Sequence, residues 1–295
     1  MSPPRTEAER GDRQTLGVAV LGSAPLALFV GIFLIGGLFS LFLVSFWQVR
    51  TFDIKPLWTL ANYLEVLRDY LPVLAWTMAV AGVVALLTLI VSLPFAYLAA
   101  FKAGGRREAL IFLVLITIFG GYLVKVYAMK SILGAEGLIN SSLLGLGLIN
   151  EPLSFLIYSP TAVIVTLTNT LVPLAILPLF AAMQNIPYAL VEASKDLGAS
   201  RWRTLREITL PLARPGIVGA FAITFVLAAG DFVTPQLLGG TSGLMVGQVI
   251  ASRFGVAFDW PVGSALAFVT LASSLMVIAV FALATRRVLG VGRGG

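Results

Sequence analysis

Six apolar stretches dominate this chain, and each is long enough to cross a hydrocarbon layer, which takes roughly 20 helical residues. The first runs from about Leu16 or Ala24 to Phe46, and the others span 71–101, 109–126, 160–183, 215–238 and 261–285. Of the 295 residues 58% are hydrophobic and 12% charged, more apolar material than one soluble core of this size needs, so the solvent is a bilayer. Lipid offers no partner for backbone N–H and C=O groups, and helices satisfy their own. The predicted fold class is therefore all-α, a polytopic membrane protein with six transmembrane helices. A tail at 1–15 precedes a transmembrane domain at 16–287, and a second tail covers 288–295. The first stretch exceeds a signal-peptide core and lacks a clear small-residue cleavage site, so it reads as a retained span.

Six crossings place both termini on one side, and Lys and Arg choose that side. Arg5, Arg10, Arg13, Lys102, Arg106, Arg107, Lys195, Arg201, Arg203, Arg206, Arg214, Arg286, Arg287 and Arg293 fall on the side of the termini. Arg50, Lys55, Arg68, Lys125, Lys130 and Arg253 fall on the other. The bias predicts cytoplasmic termini. It also explains the net charge of +6 by topology, with membrane lipid and no nucleic acid as partner. Cysteine and histidine are both absent, which removes thiol nucleophiles, the commonest zinc ligands and the usual general base. No catalytic set and no metal site is expected. A Gly-rich phosphate loop ending in Lys-Ser/Thr is also missing, so any ATP-driven step must be powered elsewhere.

The connections differ in character. Residues 47–70 are charged, and Leu60 to Arg68 reads as a short interfacial helix. Residues 127–159 are apolar but broken by Gly134, Gly137, Gly145, Gly147 and Pro152, as in a re-entrant or interfacial segment. The longest polar connection, 184–214, reads as two short helices with a sharp break. Asn185 is expected to cap the first, with Pro187 in its first turn; Gly198 ends it and Ser200 caps the second, which Pro211 and Pro215 stop. Leu190, Ala193 and Leu197 recur at helical spacing, while Glu192 and Asp196 lie on another face. Such a helix either rests on lipid or forms a knob for a cytoplasmic partner. The thin stripe of small residues and the glycine break favour the knob.

At these residues a resemblance becomes specific. Glu192-Ala193-Ser194, Asp196-Leu197-Gly198-Ala199-Ser200, Trp202, Ile208, Leu210-Pro211 and Pro215-Gly216 resemble the EAA loop of ABC-importer permeases, with Ser194 where alanine is usual. The resemblance implies the type I importer permease fold (MetI-like) in a bacterial cell inner membrane. It implies that Ala189, Leu190, Glu192, Ala193, Ser194, Asp196, Leu197 and Gly198 couple to an ATPase. It further implies two cytoplasmic ATPase subunits holding ATP and Mg, a second permease subunit alike or identical, and a periplasmic solute-binding protein, with no cofactor in this chain. A narrower likeness to spermidine/putrescine-type permeases rests on 121–124, the stretch around 137–140, 197–202, Gly230-Asp231-Phe232-Val233-Thr234-Pro235, Leu238-Gly239-Gly240 and Asp259-Trp260-Pro261. It implies a small amine as solute, and the same subfamily takes in importers of opines, phosphonates and ferric complexes.

Polar groups at membrane depth are costly and mark pathways or helix contacts. Asp231 lies 17 residues beyond Arg214, about 25 Å along a straight helix at ~1.5 Å per residue, near the outer edge of the hydrocarbon. Either it lines a solute pathway, with Phe232, Thr234 and Tyr122 beside it, or it stands in outer-surface water. Asn169 sits near mid-span, where helix-to-helix hydrogen bonding competes with a pathway role, and Asp259 is a second candidate acid in a plain loop. A membrane enzyme would need a reactive set at depth that the sequence lacks. A channel or scaffold would leave the 192–216 motif unexplained.

Overall fold

A computed structural model describes residues 29–50 and 53–290. The tail at 1–15, the beginning of the first apolar stretch and the end of the second tail lie outside these residues. The chain begins with a helix α1 (Gly31–Val44), a short hairpin β1 (Gln48–Arg50) and β2 (Asp53–Lys55), and α2 (Ala61–Asp69). The long α3 (Leu71–Phe101) follows, then α4 (Arg107–Phe119), α5 (Tyr122–Leu133), α6 (Leu138–Gly145) and α7 (Pro160–Gln184). The polar connection forms α8 (Tyr188–Asp196) and α9 (Arg201–Leu212), and the remainder α10 (Arg214–Ala229), α11 (Val233–Leu238), α12 (Val246–Phe254) and α13 (Trp260–Val288).

Three of these helices, α3, α7 and α13, are long and apolar enough to cross a membrane. Up to five spans result if α4 with the segment Tyr122–Gly145 (α5 and α6) and α9 with α10 each count as one bent span, the bends being 88° and 69°. The 88° bend falls inside the third apolar stretch, the 69° bend falls at Ala213 just ahead of the fifth, and the fifth has a break of its own. The 109–126 stretch breaks at Gly120-Gly121, and the 215–238 stretch breaks at Gly230 to Phe232. Both breaks hide inside apolar sequence, so hydropathy alone runs through them.

The core is a bundle of α3, α7 and α10. Apolar side chains gain nothing from leaving lipid for one another, so such helices associate by close packing of small residues. Ala81, Ala85 and Ala96 of α3, Ala175 of α7, and Ala220, Ala228 and Ala229 of α10 are all buried. Ser92 Oγ donates to the Val172 carbonyl at 3.2 Å, a polar tie between α3 and α7. Helices α7 and α10 are in close contact at Gly216. A Cβ there would lie 2.6 Å from the Pro178 carbonyl oxygen and collide with Ala182. Helix α13 lies outside this bundle. It is joined to α10 by Phe221 stacked on Phe281 at 3.7 Å and by Arg214, which donates to the Ala282 carbonyl at 3.0 Å. Helix α1 leans on α13 through Phe42 and Phe268.

Opposite the α8–α9 end, α12 is fixed by a cluster of charges. Arg253 pairs with Asp259 at 2.8 Å and Glu65 at 3.7 Å and donates to the Tyr70 hydroxyl. Burial pushes the Glu65 carboxyl up, against the opposing pull of Arg253.

Replacing Gly216 by Val overpacks the α7–α10 contact and is expected to cost about 1–3 kcal/mol. Thermal unfolding in detergent checks this: a melting temperature equal to that of the unaltered protein would contradict so tight a contact.

Candidate functional site

Two sites stand at opposite ends of the bundle. The first is the peg built by α8 and α9. Helix α8 ends at Leu197 because Gly198 adopts φ +80, a left-handed conformation that costs other residues about 1–2 kcal/mol. The Ala199 N–H then reaches the Ser194 carbonyl at 2.9 Å and the Gly198 N–H the Lys195 carbonyl at 2.8 Å, the paired bonds of a Schellman cap. Ser200 starts α9 by accepting from the Arg203 N–H at 3.3 Å. The first cap differs from the sequence expectation. Asn185 closes α7 instead, donating to the Ala181 carbonyl, and Pro187 occupies the cap position of α8. Pro187 has no N–H to leave unsatisfied, and its fixed φ suits the entry. The second stop also differs, since α9 runs through Pro211 and turns at Ala213.

Only Val191 and Ser194 of α8 are buried. The Ser194 and Thr204 hydroxyls lie 2.9 Å apart and lock α8 onto α9. Ala189, Leu190, Glu192, Ala193, Asp196, Leu197 and Gly198 are exposed, Leu197 to 89%. The stripe of Leu190, Ala193 and Leu197 thus points away from the bundle and lines a cleft of about 360 Å³ with Arg203 and Glu207. The capped helix thus carries an exposed apolar stripe flanked by the carboxylates of Glu192 and Asp196.

The second site lies at the other end, where both broken helices meet. Because α10 stops at Ala229 and α4 at Phe119, Asp231 and Tyr122 come together from positions 109 residues apart. The Tyr122 hydroxyl is 2.6 Å from Asp231 Oδ1 and 2.8 Å from Thr234 Oγ1. The Val233 N–H donates to the same Oδ1 at 3.1 Å. The other oxygen, Oδ2, is shielded and has no hydrogen-bond partner among the described residues. Asp231, Tyr122 and Phe232 line a cavity of about 490 Å³ with Lys125, Thr170 and Leu227. Thr234 stands behind it, fully buried. Helix α12 supports the break from outside, since a Cβ at Gly247 would lie 2.6 Å from the Asp231 carbonyl oxygen.

Two sequence candidates fall elsewhere. Asn169 is exposed on α7 and does not line this cavity, whereas its neighbour Thr170 does. Asp259 caps α13 by accepting from the Val262 N–H and pairs with Arg253, so its charge is spent on structure. Lys125 was counted from sequence only toward topology. Its place on the cavity wall depends on the Gly120-Gly121 break, which turns α5 across the site.

A membrane-spanning helical protein with an exposed, capped helix pair at one end and, at the other, a largely apolar cavity holding Asp231 and Lys125 on its wall has the parts of a membrane transport component. The chain belongs to the family of binding-protein-dependent transport system inner membrane components, whose model matches residues 92–289. It is 34% identical over 227 residues to the spermidine/putrescine transport system permease protein PotB of Salmonella typhimurium (strain SL1344), covering 76% of this chain and 79% of that one. Among solved structures it resembles a chain of a bacterial ABC transporter involved in the import of the acidic polysaccharide alginate, with TM-score 0.66, 19% identity, and 95% and 97% of the two chains covered. A chain of the bacterial alginate ABC transporter in complex with alginate pentasaccharide-bound periplasmic protein matches with TM-score 0.65 and 18% identity, over 98% and 100% of the two chains. The fold is that of ABC-importer permeases.

Gly198→Val forces the α8 cap out of its conformation and is expected to loosen the peg while leaving the bundle intact. Trypsin cleavage between Arg201 and Arg206 is expected to speed up severalfold in detergent, and an unchanged rate would contradict the role of the cap.

Proposed function

We propose that this chain forms half of the translocation pathway of an ATP-driven importer for a small amine, most simply a polyamine such as spermidine or putrescine. The observation that carries the substrate reading is Asp231. A shielded carboxylate oxygen without a partner is expensive to maintain, and a cation that pairs with it recovers that cost. The ammonium end of a polyamine supplies the charge and N–H donors, and the Phe232 ring on the same wall offers a cation–π face. Tyr122 and the Val233 N–H hold Oδ1, so the carboxylate is oriented before the solute arrives. The likeness to PotB supports the same class.

A second reading has one observation in its favour. Lys125 lines the same cavity, and among the described residues it makes no ion pair with Asp231. A solute bearing an anionic group beside its amine, of the opine or phosphonate kind, would satisfy both charges.

The remaining parts follow the family and the charge distribution. The tails at 1–15 and 288–295 lie in the cytoplasm, as does the α8–α9 peg of the six-span domain at 16–287. The peg, 189–198, seats on one of two ATPase subunits that bind ATP and Mg; this chain is not itself an enzyme. A second permease subunit completes the pathway, and a periplasmic binding protein delivers the solute; the alginate transporter that this fold resembles is in complex with an alginate pentasaccharide-bound periplasmic protein. ATPase closure moves the peg, α7 and α10 together, and the Asp231 cavity opens outward; hydrolysis resets it.

Asp231→Asn keeps the shape and removes the charge. Uptake of labelled putrescine by the assembled complex is expected to fall at least tenfold, in line with about 1.5–3 kcal/mol for a charged hydrogen bond, and unchanged uptake would end the amine reading. Glu192→Arg is expected to abolish both uptake and stimulated ATP hydrolysis while the chain still inserts. Normal coupling in that variant would remove the peg from the mechanism.

A further inference from the structure

Beside the peg, on the face of α8 turned away from the docking stripe, two cavities adjoin at Tyr97. One, of about 460 Å³, lies between α3, α7 and α9 and is lined by Ile90, Leu93, Pro94, Leu98, Met183 and Trp202. Its wall is carbon almost throughout. Ile90 and Leu98 are exposed on the outer face of α3, so this cavity opens where the span meets lipid. The other, of about 390 Å³, is lined by Lys102, Lys195 and Arg201 together with the hydroxyl-bearing Tyr188, Ser200 and Thr204. Among the described residues none of these three cations makes an ion pair with a carboxylate. Lys195 lies over the Tyr188 ring at 5.7 Å, which holds its ammonium near the pocket.

From this juxtaposition we infer a binding site for an anionic phospholipid, with its phosphate among Lys102, Lys195 and Arg201 and an acyl chain in the apolar cavity beneath Trp202. The chemistry fits on both sides of Tyr97. A phosphate diester offers the acceptors that three cations without a carboxylate partner lack, and a hydrocarbon chain fills a pocket that has nothing to offer water. A Trp between charged neighbours at the end of a span is also the residue that sits at the headgroup level. Lipid of this charge is concentrated in the cytoplasmic leaflet, and the site faces that leaflet under the orientation proposed above. A soluble anion uses only the basic pocket and leaves the adjoining apolar one empty, so lipid accounts for both. A lipid there packs against Val191 and the inner face of α8 and would stiffen the peg toward the bundle.

Native mass spectrometry of the full-length chain in detergent, titrated separately with phosphatidylglycerol and phosphatidylethanolamine of the same acyl length, tests the site. The expected result is one phosphatidylglycerol per chain retained at least fivefold more strongly than phosphatidylethanolamine. That preference is expected to be lost in the K102E/R201E double variant and to resist inorganic phosphate. Equal retention of the two lipids, displacement by phosphate alone, or wild-type retention in the variant would overturn the inference. A phosphatidylglycerol carrying a photoreactive acyl chain gives a second readout on the unaltered protein. Labelling is expected on residues 90–98 and 202–210, and labelling confined to other segments would equally overturn it. Both readings use purified protein, so they stand or fall separately from any transport assay of the Asp231 cavity.

Discussion

The close contact of Gly216 with Pro178 and Ala182 makes the two ends of this molecule one mechanical body. Helix α7 passes into α8 through three residues, and α9 passes into α10 at a single residue, Ala213. With α7 and α10 pressed together just inside those junctions, the peg cannot tilt without moving both helices. The Ser194–Thr204 hydroxyl pair and the Schellman cap at Gly198 remove the remaining slack between α8 and α9. The stiffness comes from short-range packing and a few hydrogen bonds, the means open to a protein whose apolar side chains already lie in an apolar solvent.

The same two helices lead to the Asp231 cavity. Helix α10 ends where Asp231 begins the break, and Thr170 and Leu171 of α7 line the opposite wall. Under the proposed coupling, movement imposed at the peg arrives at both sides of the cavity. The break itself keeps a carboxylate in an apolar molecule. One oxygen is held by Tyr122 and by the backbone, and the other is left without a partner, a polarised arrangement that suits transient binding of a cation better than permanent pairing. The contrast with Asp259 is instructive. That acid has Arg253 and a helix N-terminus, both permanent, and nothing remains for a solute.

How much of this was legible in the sequence follows from the physics of each element. Long apolar stretches announce α3, α7 and α13 because lipid exposure demands them, and Leu60 to Arg68 announces α2 to within a residue. The Gly198 and Ser200 punctuation of the peg was equally readable, since both act locally. The bends were not. Gly120-Gly121 and Gly230 lie within continuous hydrophobicity, and a glycine inside a span is as compatible with close packing, as at Gly216, as with a break. The sequence offers Tyr122 as a ring partner beside Asp231, but the hydrogen bond between them needs both breaks at once. Lys125 went unnoticed as a cavity residue for the same reason. Asn185 was misplaced because a capping residue and a helix-closing residue look alike when two helices are three residues apart.

The proposed assembly places the exposed stripe of α8 against an ATPase, and the absence of native cysteine makes that contact directly measurable. With a single cysteine at Leu197, a short thiol crosslinker applied to membranes containing the full transporter is expected to join this chain to the ATPase subunit, with a yield that changes when ATP is bound. Labelling of Leu197→Cys only by membrane-dissolved reagents, with no crosslink to any ATPase in either nucleotide state, would show the stripe lying in lipid and contradict force transmission through the peg.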